Sequence, residues 1–189
     1  GSSLARIMIR DGLAGHISVT ARTQATLDTV TRLELADSVT LDATEAVRDA
    51  DLIMICTPLG AYGAVAKEIG PHLKDGAIVS DVGSAKQIVS REIVPHMPDG
   101  VHVVPGHPVA GTENSGPEAG FAELFMGRNC ILTPDDGVAE QAIEKISALW
   151  KAAGMSVEMM SAHHHDQVLA ITSHLPQLIA YTIVDTAEQ

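Results

Sequence analysis

Residues 52–86 read LIMICTPLGAYGAVAKEIGPHLKDGAIVSDVGSAK and carry the pattern that decides the fold. Residues 52–56 and 77–80 are short, continuous apolar runs, which are typical of strands covered on both faces. Residues 60–73, between these runs, have the spacing of a helix, and the sequence Lys-Asp-Gly then turns the chain. Strand, helix and strand in this order predict two parallel strands joined by a right-handed crossover.

The same alternation extends in both directions from this unit. Further strands are predicted at residues 17–21, 101–104, 130–133 and 155–159, and further helices at residues 4–10, 23–33, 86–94 and 138–153. The pattern predicts an α/β protein with a Rossmann-like, mainly parallel sheet and helices on both faces. Residues 1–160 are expected to form a dinucleotide-binding domain that lacks its first strand.

The pattern changes after residue 160. Residues 161–189 contain no strand signal and are expected to begin an all-helical domain for substrate binding or dimerisation. Pro176 should interrupt this helical run, because proline lacks the backbone N–H that a helix interior needs.

Composition limits the classes of partner. The 189 residues carry a net charge of −12 and no cluster of lysine or arginine, so nucleic acid is not an expected partner. A small anionic substrate would need a local positive site. No signal peptide and no apolar run long enough to span a bilayer were identified, which favours a cytoplasmic protein without a membrane partner. Cys56 and Cys130 are expected to be reduced, buried thiols.

The first residues resemble one part of a phosphate-binding turn. Gly1, followed by Ser2 at a predicted helix start, could be the third glycine of a G-x-G-x-x-G turn, where helix N–H groups meet a pyrophosphate. The alternative is a linker remnant, since Gly-Ser-Ser is common in linkers.

The turn after the strand at residues 17–21 bears on the choice of cofactor. It contains Arg22 and Thr23 and no acidic residue, which favours NADP over NAD as the cofactor. The alternative is a solvated arginine in a strand–helix turn.

Two more turns follow predicted strands and are candidates for cofactor contacts. The first contains Thr57 and Pro58, and the second contains Gly83 and Ser84. Ligands of open α/β sheets bind beyond the carboxyl ends of the strands, where both turns should lie. The alternative is ordinary turn and helix-cap chemistry.

The segment PGHPVAGTENSG, residues 105–116, follows another predicted strand. It places His107 in a glycine-rich loop at the expected mouth of the site, with Thr112, Glu113 and Ser115 nearby. A histidine there can serve as an acid or base near neutral pH, whereas a lone histidine is more often structural.

Three motifs together resemble one enzyme family. DVGSAK at residues 81–86, PGHPVAGTENSGPEAGF at 105–121 and HHDQVLAITSHLPQLIAY at 164–181 look like the prephenate and arogenate dehydrogenases, in particular the bacterial cyclohexadienyl type. The resemblance implies hydride transfer from prephenate or arogenate to NAD(P)+ with loss of carbon dioxide, giving 4-hydroxyphenylpyruvate or tyrosine. It also implies a homodimer formed through the helical domain.

The resemblance also implies roles for single residues. His107 matches the histidine that deprotonates the substrate hydroxyl, and Ser84 matches the serine that orients this histidine. His174 matches a histidine near the substrate, with helix packing as the alternative, and Glu113 matches a gate beside Thr112. Gln177 departs from the family, which commonly has histidine there, and the substrate-binding arginine of the family would lie beyond residue 189.

Three consecutive histidines, at residues 163–165, do not predict a metal site, because successive helical residues cannot all face one way. Two rival functions remain open at this point. One is a β-hydroxyacid or 6-phosphogluconate type of dehydrogenase, which would need a lysine base in its helical domain. The other is a nucleotide-binding regulatory module without chemistry, which would have no need for the GHPVAGTE segment.

Overall fold

The computed structural model describes residues 1–187, apart from the side chains of His174, Asp185 and Ala187. The strands in this range are β1 (Ser18–Thr20), β2 (Ser38–Thr40), β3 (Leu52–Ile55), β4 (Ile78–Asp81), β5 (His102–Val103), β6 (Gly106–Pro108), β7 (Asn129–Leu132) and β8 (Ser156–Met159). The α-helices are α1 (Ser2–Arg10), α2 (Gln24–Arg32), α3 (Ala43–Val47), α4 (Tyr62–Ile69), α5 (Gln87–Glu92), α6 (Glu140–Ala152), α7 (Ala162–Leu169) and α8 (Leu175–Ala187).

The strands form three hydrogen-bonded groups. β1 pairs with β2, and β3, β4 and β5 pair in that order, all in parallel. In the third group, β6 runs antiparallel to β7, and β7 runs parallel to β8. The predicted mainly parallel α/β architecture is confirmed. β2 was not predicted, although its three residues, Ser-Val-Thr, are the same as those of β1.

The core lies on both faces of the sheet. Alternate residues of β4 point to opposite sides, so that Ile78 packs with α1 and α6 while Val79 packs with α4 and α5. On α6 the buried residues Ala142, Ile146 and Trp150 follow each other at four-residue intervals, which places them on one stripe facing the sheet.

The helical run after β8 begins at α7 and continues through a π-helical segment, Ala170–His174, into α8. Pro176 is the second residue of α8. The proline ring crowds the carbonyl four residues earlier and donates no hydrogen bond, so the widened π turn accommodates it. The predicted interruption is therefore a local widening of the helix and does not end it.

This helical run is apolar and largely uncovered. The helical run Ala162–Val184 is long and apolar enough to cross a membrane by length and composition alone. The expectation that no segment meets this criterion was wrong, because it considered only unbroken apolar runs. Seven large side chains on it are exposed, namely Ile171, Leu175, Leu178, Ile179, Tyr181, Ile183 and Val184.

The two cysteines are both free, but they differ in burial. Cys130 on β7 is buried, as predicted, whereas Cys56 is exposed. The prediction for Cys56 was wrong because β3 ends at Ile55 and the chain leaves the sheet at the next residue.

Candidate active site

The start of α1 lies against the end of β3. A Cβ atom built on Gly1 would lie 3.5 Å from Cys56 Cβ, so the helix start and the strand end are in van der Waals contact. Gly1 is the N-cap, and no side chain caps the helix. Because first-turn N–H groups have no partner within the helix, such a start suits a bound phosphate. The geometry fits the nucleotide pyrophosphate that the sequence predicted near Gly1 and Ser2.

The turn after β4 lies close to the turn after β3. A Cβ atom on Gly83 would lie 2.5 Å from both Leu59 Cδ2 and Tyr62 Oη, so a larger residue here would require these side chains to shift. Thr57 and Pro58 directly precede Leu59 and are exposed, as is Ser84. The structure therefore brings together the two predicted cofactor turns at the carboxyl edge of the parallel strands.

The turn after β1 carries the remaining predicted cofactor residues. Arg22 is exposed there. The hydroxyl of Thr23 accepts a hydrogen bond from the Thr26 N–H at 3.3 Å and caps α2, so helix capping accounts for this threonine.

The carboxylate of Asp81, at the end of β4, is a buried hub. Its Oδ2 accepts hydrogen bonds from Tyr62 Oη at 2.7 Å, from Gly83 N at 2.8 Å and from Lys86 Nζ at 2.5 Å. Its Oδ1 accepts from Gly106 N at 3.1 Å, and Lys86 Nζ also donates to the Gly106 carbonyl at 2.7 Å. These bonds tie β4, α4 and the turn after β4 to the first residue of β6.

Burial shifts the ionisation of two side chains in this hub. Burial lowers the pKa of Lys86, although the neighbouring Asp81 carboxylate opposes the shift. Burial and the same carboxylate raise the pKa of Tyr62, so this phenol remains a neutral donor. Lys86 holds the Gly106 carbonyl, and Tyr62 holds the Asp81 carboxylate. Neither reaches solvent.

His107 lies in strand β6 and not in a loop, contrary to the prediction. Pro105 donates no backbone hydrogen bond, and the chain then forms a new strand in which His107 pairs with Ile131 of β7. Gly-His-Pro has little local preference for a strand, so pairing with β7 determines its conformation. The side chain is 8% exposed.

His107 contacts a second histidine from helix α7. His107 Nδ1 lies 2.8 Å from His165 Nε2, and the ring centroids are 5.0 Å apart at an interplanar angle of 70°. His165 is fully buried, and its Nδ1 lies 2.7 Å from Asp166 Oδ1. A carboxylate and two imidazoles therefore form one continuous hydrogen-bonded row.

Asp166 also binds the start of α5, where it accepts hydrogen bonds from Lys86 N at 2.7 Å and Gln87 N at 3.0 Å. Burial on its own would raise the pKa of Asp166, but these backbone donors, together with the His165 and Gln87 side chains, lower it. The carboxylate is thus fixed in orientation and held in its ionised form.

The other predicted site residues are not part of the hydrogen-bonded row of Asp166, His165 and His107. Thr112, Glu113 and Ser115 are exposed in the segment after β6, and Thr112 Oγ1 donates to the Asn114 carbonyl at 3.1 Å. The side chain of His174 lies outside the described residues. Within the described part of the chain, no group of three or more His, Cys, Asp or Glu side chains could hold a metal ion.

Five residues of the site were not predicted: Tyr62, Asp81, Lys86, His165 and Asp166. A usable signal exists for two of them, because Asp81 and Lys86 are charged residues on either side of a glycine turn that directly follows a buried strand. Such charges require partners when they are buried. His165 carries no comparable signal, since it is one of three successive histidines, of which His163 and His164 are exposed.

Comparison with known proteins identifies the family. Residues 4–159 match the family profile of the prephenate dehydrogenase nucleotide-binding domain. The chain belongs to the prephenate dehydrogenase family. The resemblance drawn from the three motifs is therefore confirmed.

Two relatives of the prephenate dehydrogenase family illustrate the match in sequence. The chain is 45% identical over 168 residues to a cyclohexadienyl dehydrogenase of Zymomonas mobilis, covering 89% of this chain and 57% of that protein. It is 32% identical over 139 residues to a prephenate dehydrogenase of Bacillus subtilis, covering 73% of this chain and 38% of that protein. The chain thus spans less than two thirds of either relative.

Solved structures of prephenate dehydrogenase family members have the same fold. Prephenate dehydrogenase from Aquifex aeolicus, in complex with hydroxyphenyl propionate and NAD+, superposes with a TM-score of 0.89 at 30% identity. This match covers 98% of the present chain and 64% of the Aquifex chain. Arogenate dehydrogenase from Synechocystis gives a TM-score of 0.86 at 26% identity, covering 98% of this chain and 65% of that one.

Proposed function

We propose that the full-length protein catalyses the oxidative decarboxylation of prephenate, of arogenate, or of both. The products are 4-hydroxyphenylpyruvate or tyrosine, and the reaction belongs to tyrosine biosynthesis. One observation carries the proposal: in a member of this family, His107 lies beside the carboxyl end of β4, with its ring held through Nδ1 by His165. An imidazole held in this way suits a general base.

The reaction divides between the chain and its cofactor. NAD(P)+, when bound, accepts a hydride from the carbinol carbon of the substrate. His107 accepts the proton of the carbinol hydroxyl, the bond to the ring carboxylate breaks to release carbon dioxide, and the ring becomes aromatic. The proton returns from His107 to the phenolic oxygen, so atoms and charge balance. Ser84 is proposed to hold the same hydroxyl beside the nicotinamide.

The cofactor is proposed to lie along the carboxyl edge of β3 and β4. The start of α1, with Gly1 and Ser2, suits the pyrophosphate, and the exposed turns with Thr57, Pro58 and Gly83 suit the nicotinamide half. Arg22, with Thr23 beside it, favours NADP because a guanidinium pairs well with a 2′-phosphate. The Aquifex relative was solved with NAD+, so both nucleotides belong in the test.

The substrate is proposed to lie between β6 and the helical domain. Thr112, Glu113 and Ser115 are exposed in the segment after His107, and His174 lies in the helical run that follows α7. Prephenate is an anion and the chain carries a net charge of −12, so binding requires positive groups near the site.

The partner is proposed to be a second copy of the protein, joined through the helical domain in a cytoplasmic homodimer. The exposed apolar side chains of α8 support this proposal, because an isolated helix does not keep such a face in water. The Aquifex match covers 98% of this chain, helical run included, and 64% of the Aquifex chain. The remainder of the helical domain and the second copy are therefore preferred over a membrane as the cover for this run.

The two rival functions are less well supported. A β-hydroxyacid type of dehydrogenase needs a lysine base near the substrate, but the buried Nζ of Lys86 is bonded to Asp81 and to the Gly106 carbonyl. A regulatory module without chemistry has no use for a buried row that ends at His107.

The test uses full-length protein with prephenate or arogenate, each with NAD or NADP, and follows the absorbance of the reduced cofactor. His107→Asn should lower kcat by about 10²–10⁴-fold with the nucleotide Kd nearly unchanged. His163→Asn, at an exposed histidine, serves as the matched control. Turnover that survives in His107→Asn would contradict the proposal.

A further inference from the structure

We infer that His165 is a positioning residue that, with Asp166 behind it, fixes the ring orientation and the tautomer of His107. The inference rests on the proposed function, in which His107 is the base. It adds a role for two residues of α7 that do not contact the substrate but act through His107.

The first step of the argument is geometric. The three side chains make two short contacts in series, 2.7 Å from Asp166 Oδ1 to His165 Nδ1 and 2.8 Å from His165 Nε2 to His107 Nδ1. The steep angle of 70° between the rings directs the edge of His165 at His107. Because His165 is fully buried, water does not compete for either of its nitrogens.

The second step concerns the protons. Asp166 is an ionised acceptor, so the facing Nδ1 of His165 must carry a proton. In a neutral imidazole the other nitrogen, Nε2, is then the acceptor, and it must receive a proton from His107 Nδ1. This tautomer of His107 has its lone pair on Nε2, which is the form a base requires.

The third step is the anchoring of Asp166. Its carboxylate accepts from the backbone N–H groups of Lys86 and Gln87, which are 80 and 79 residues earlier in the chain. These donors come from the turn and helix after β4 and not from α7 itself. The row is therefore assembled only when α7 lies against the nucleotide-binding domain, which couples the state of the base to the packing of this helix.

Other ionisable groups surround His107 without replacing the row. Asp81 and Lys86 bind the backbone of the preceding residue, Gly106. Cys130 on β7 pairs with Pro108, and Glu158 on β8 pairs with Ile131, the partner of His107. His165 Nε2 lies 2.8 Å from His107 Nδ1, within hydrogen-bond distance.

The experiment compares full-length variants at His165. His165→Phe keeps a ring and removes the acceptor, and we expect kcat to fall about 10–100-fold with KM and the nucleotide Kd within about twofold of the unmodified protein. His165→Gln offers a side-chain carbonyl to His107 Nδ1 and should recover most of the lost kcat. The matched control is His163→Phe, the same substitution at an exposed position of the same helix.

A second readout does not depend on turnover. In protein with ¹⁵N-labelled histidine, the nitrogen shifts of His107 should show a protonated Nδ1 and an unprotonated Nε2. In Asp166→Asn a single amide oxygen remains to accept from the Lys86 and Gln87 N–H groups and from His165, so the proton on His165 Nδ1 is no longer fixed and both histidines should show mixed tautomers. His165→Phe should leave a mixture of the two forms of His107.

The outcomes separate the two proposals. If His107→Asn keeps its turnover, the proposed function fails. The positioning role of His165 is still tested in that case, because the tautomer of His107 is measured in the unmodified protein. If His107→Asn is inactive but His165→Phe and Asp166→Asn change neither kcat nor the nitrogen shifts, the positioning role is wrong. A loss of kcat in His165→Phe that His165→Gln does not recover, with unchanged shifts, would also overturn it.

Discussion

The ammonium of Lys86 lies 2.5 Å from Oδ2 of Asp81, and the two side chains are 0% and 1% exposed. This buried ion pair joins the end of β4 to Gly106, the residue before His107. Buried charges are tolerated only when they are paired and hydrogen-bonded, and the Asp81 and Lys86 side chains meet both conditions. The pair therefore sets the position of the strand that carries the proposed base.

Removing one member of this ion pair should destabilise the folded protein. Lys86→Met leaves the Asp81 carboxylate buried without its cation, and we expect the free energy of unfolding to fall by about 3–5 kcal/mol, measured by urea denaturation of the full-length protein. Lys67→Met, at an exposed lysine on α4, is the control. Adding Asp81→Asn to Lys86→Met should recover part of the loss, since it removes the unpaired charge. Equal stability of the two lysine variants would contradict this account.

Gly83 and Gly60 should respond differently to the same substitution. Gly83→Ala places a methyl group 2.5 Å from Leu59 Cδ2 and Tyr62 Oη, and overpacking of this kind costs about 1–3 kcal/mol. Gly60→Ala meets nothing within 4 Å and should be nearly neutral. Thermal unfolding and nucleotide titration of both variants check this, and Gly83→Ala should also bind nucleotide more weakly. The prediction fails if the two variants behave alike.

The two cysteines should differ in reactivity. Cys56 is exposed next to Gly1, whereas burial raises the pKa of Cys130 to about 12. An alkylating reagent should therefore modify Cys56 and spare Cys130 in the folded protein, as read by peptide mass spectrometry. Saturating NAD or NADP should slow the modification of Cys56 if the nucleotide lies where we propose. Denatured protein, in which both thiols react, is the control.

Asp166 should contribute to stability in a pH-dependent way. Its folded-state pKa lies below the unfolded value of about 3.9, so the unfolded state binds more protons and stability rises with pH. Relative to the unmodified protein, Asp166→Ala should lose about 0.5–2 kcal/mol at neutral pH, since the carboxylate caps α5. This difference should shrink as the pH falls below 3.9 and through the lowered pKa. Urea unfolding from pH 3 to 7 measures it.

A matched variant isolates the role of that carboxylate. Asp136→Ala removes an exposed aspartate and controls for the loss of one negative charge. An Asp166→Ala deficit that grew at low pH would have the wrong sign and would refute the capping account.

Arg22 should affect one nucleotide more than the other. If its guanidinium pairs with the 2′-phosphate, Arg22→Ala should weaken NADP binding about tenfold and leave NAD binding nearly unchanged. Arg48→Ala, at an exposed arginine after α3, is the control, and Kd values for both nucleotides in full-length protein provide the measurement. Equal effects on both nucleotides would remove the argument for NADP.

Local pattern was sufficient for most of the fold. Residues 52–56 and 77–80 were predicted as buried strands, and they form the parallel neighbours β3 and β4. β2 and β6 escaped prediction, and each is only three residues long. The Gly-His-Pro of β6 has no apolar β-branched residue, so pairing with β7 and not local propensity makes it extended.

Some residues of the site were likewise predictable from the sequence, and others were not. His107 and Gly83 stand in motifs that the sequence displays, and their chemistry follows from residue type and from the turns after strands. His165 did not stand out, because nothing in the spacing of three successive histidines indicates which one turns inward. Its contact with His107 spans 58 positions of the chain.

The amino-acid sequence by itself determined the α/β alternation, the family motifs and the choice of an imidazole as base, because each depends on residues close together in the chain. Tertiary structure alone decided that His107 belongs to a strand. It also decided that Asp81 and Lys86 form hydrogen bonds with the Gly106 backbone, and that Asp166 of α7 accepts hydrogen bonds from the start of α5. Those relationships depend on burial and on partners far apart in sequence, and buried polar groups acquire their partners only when distant segments pack together.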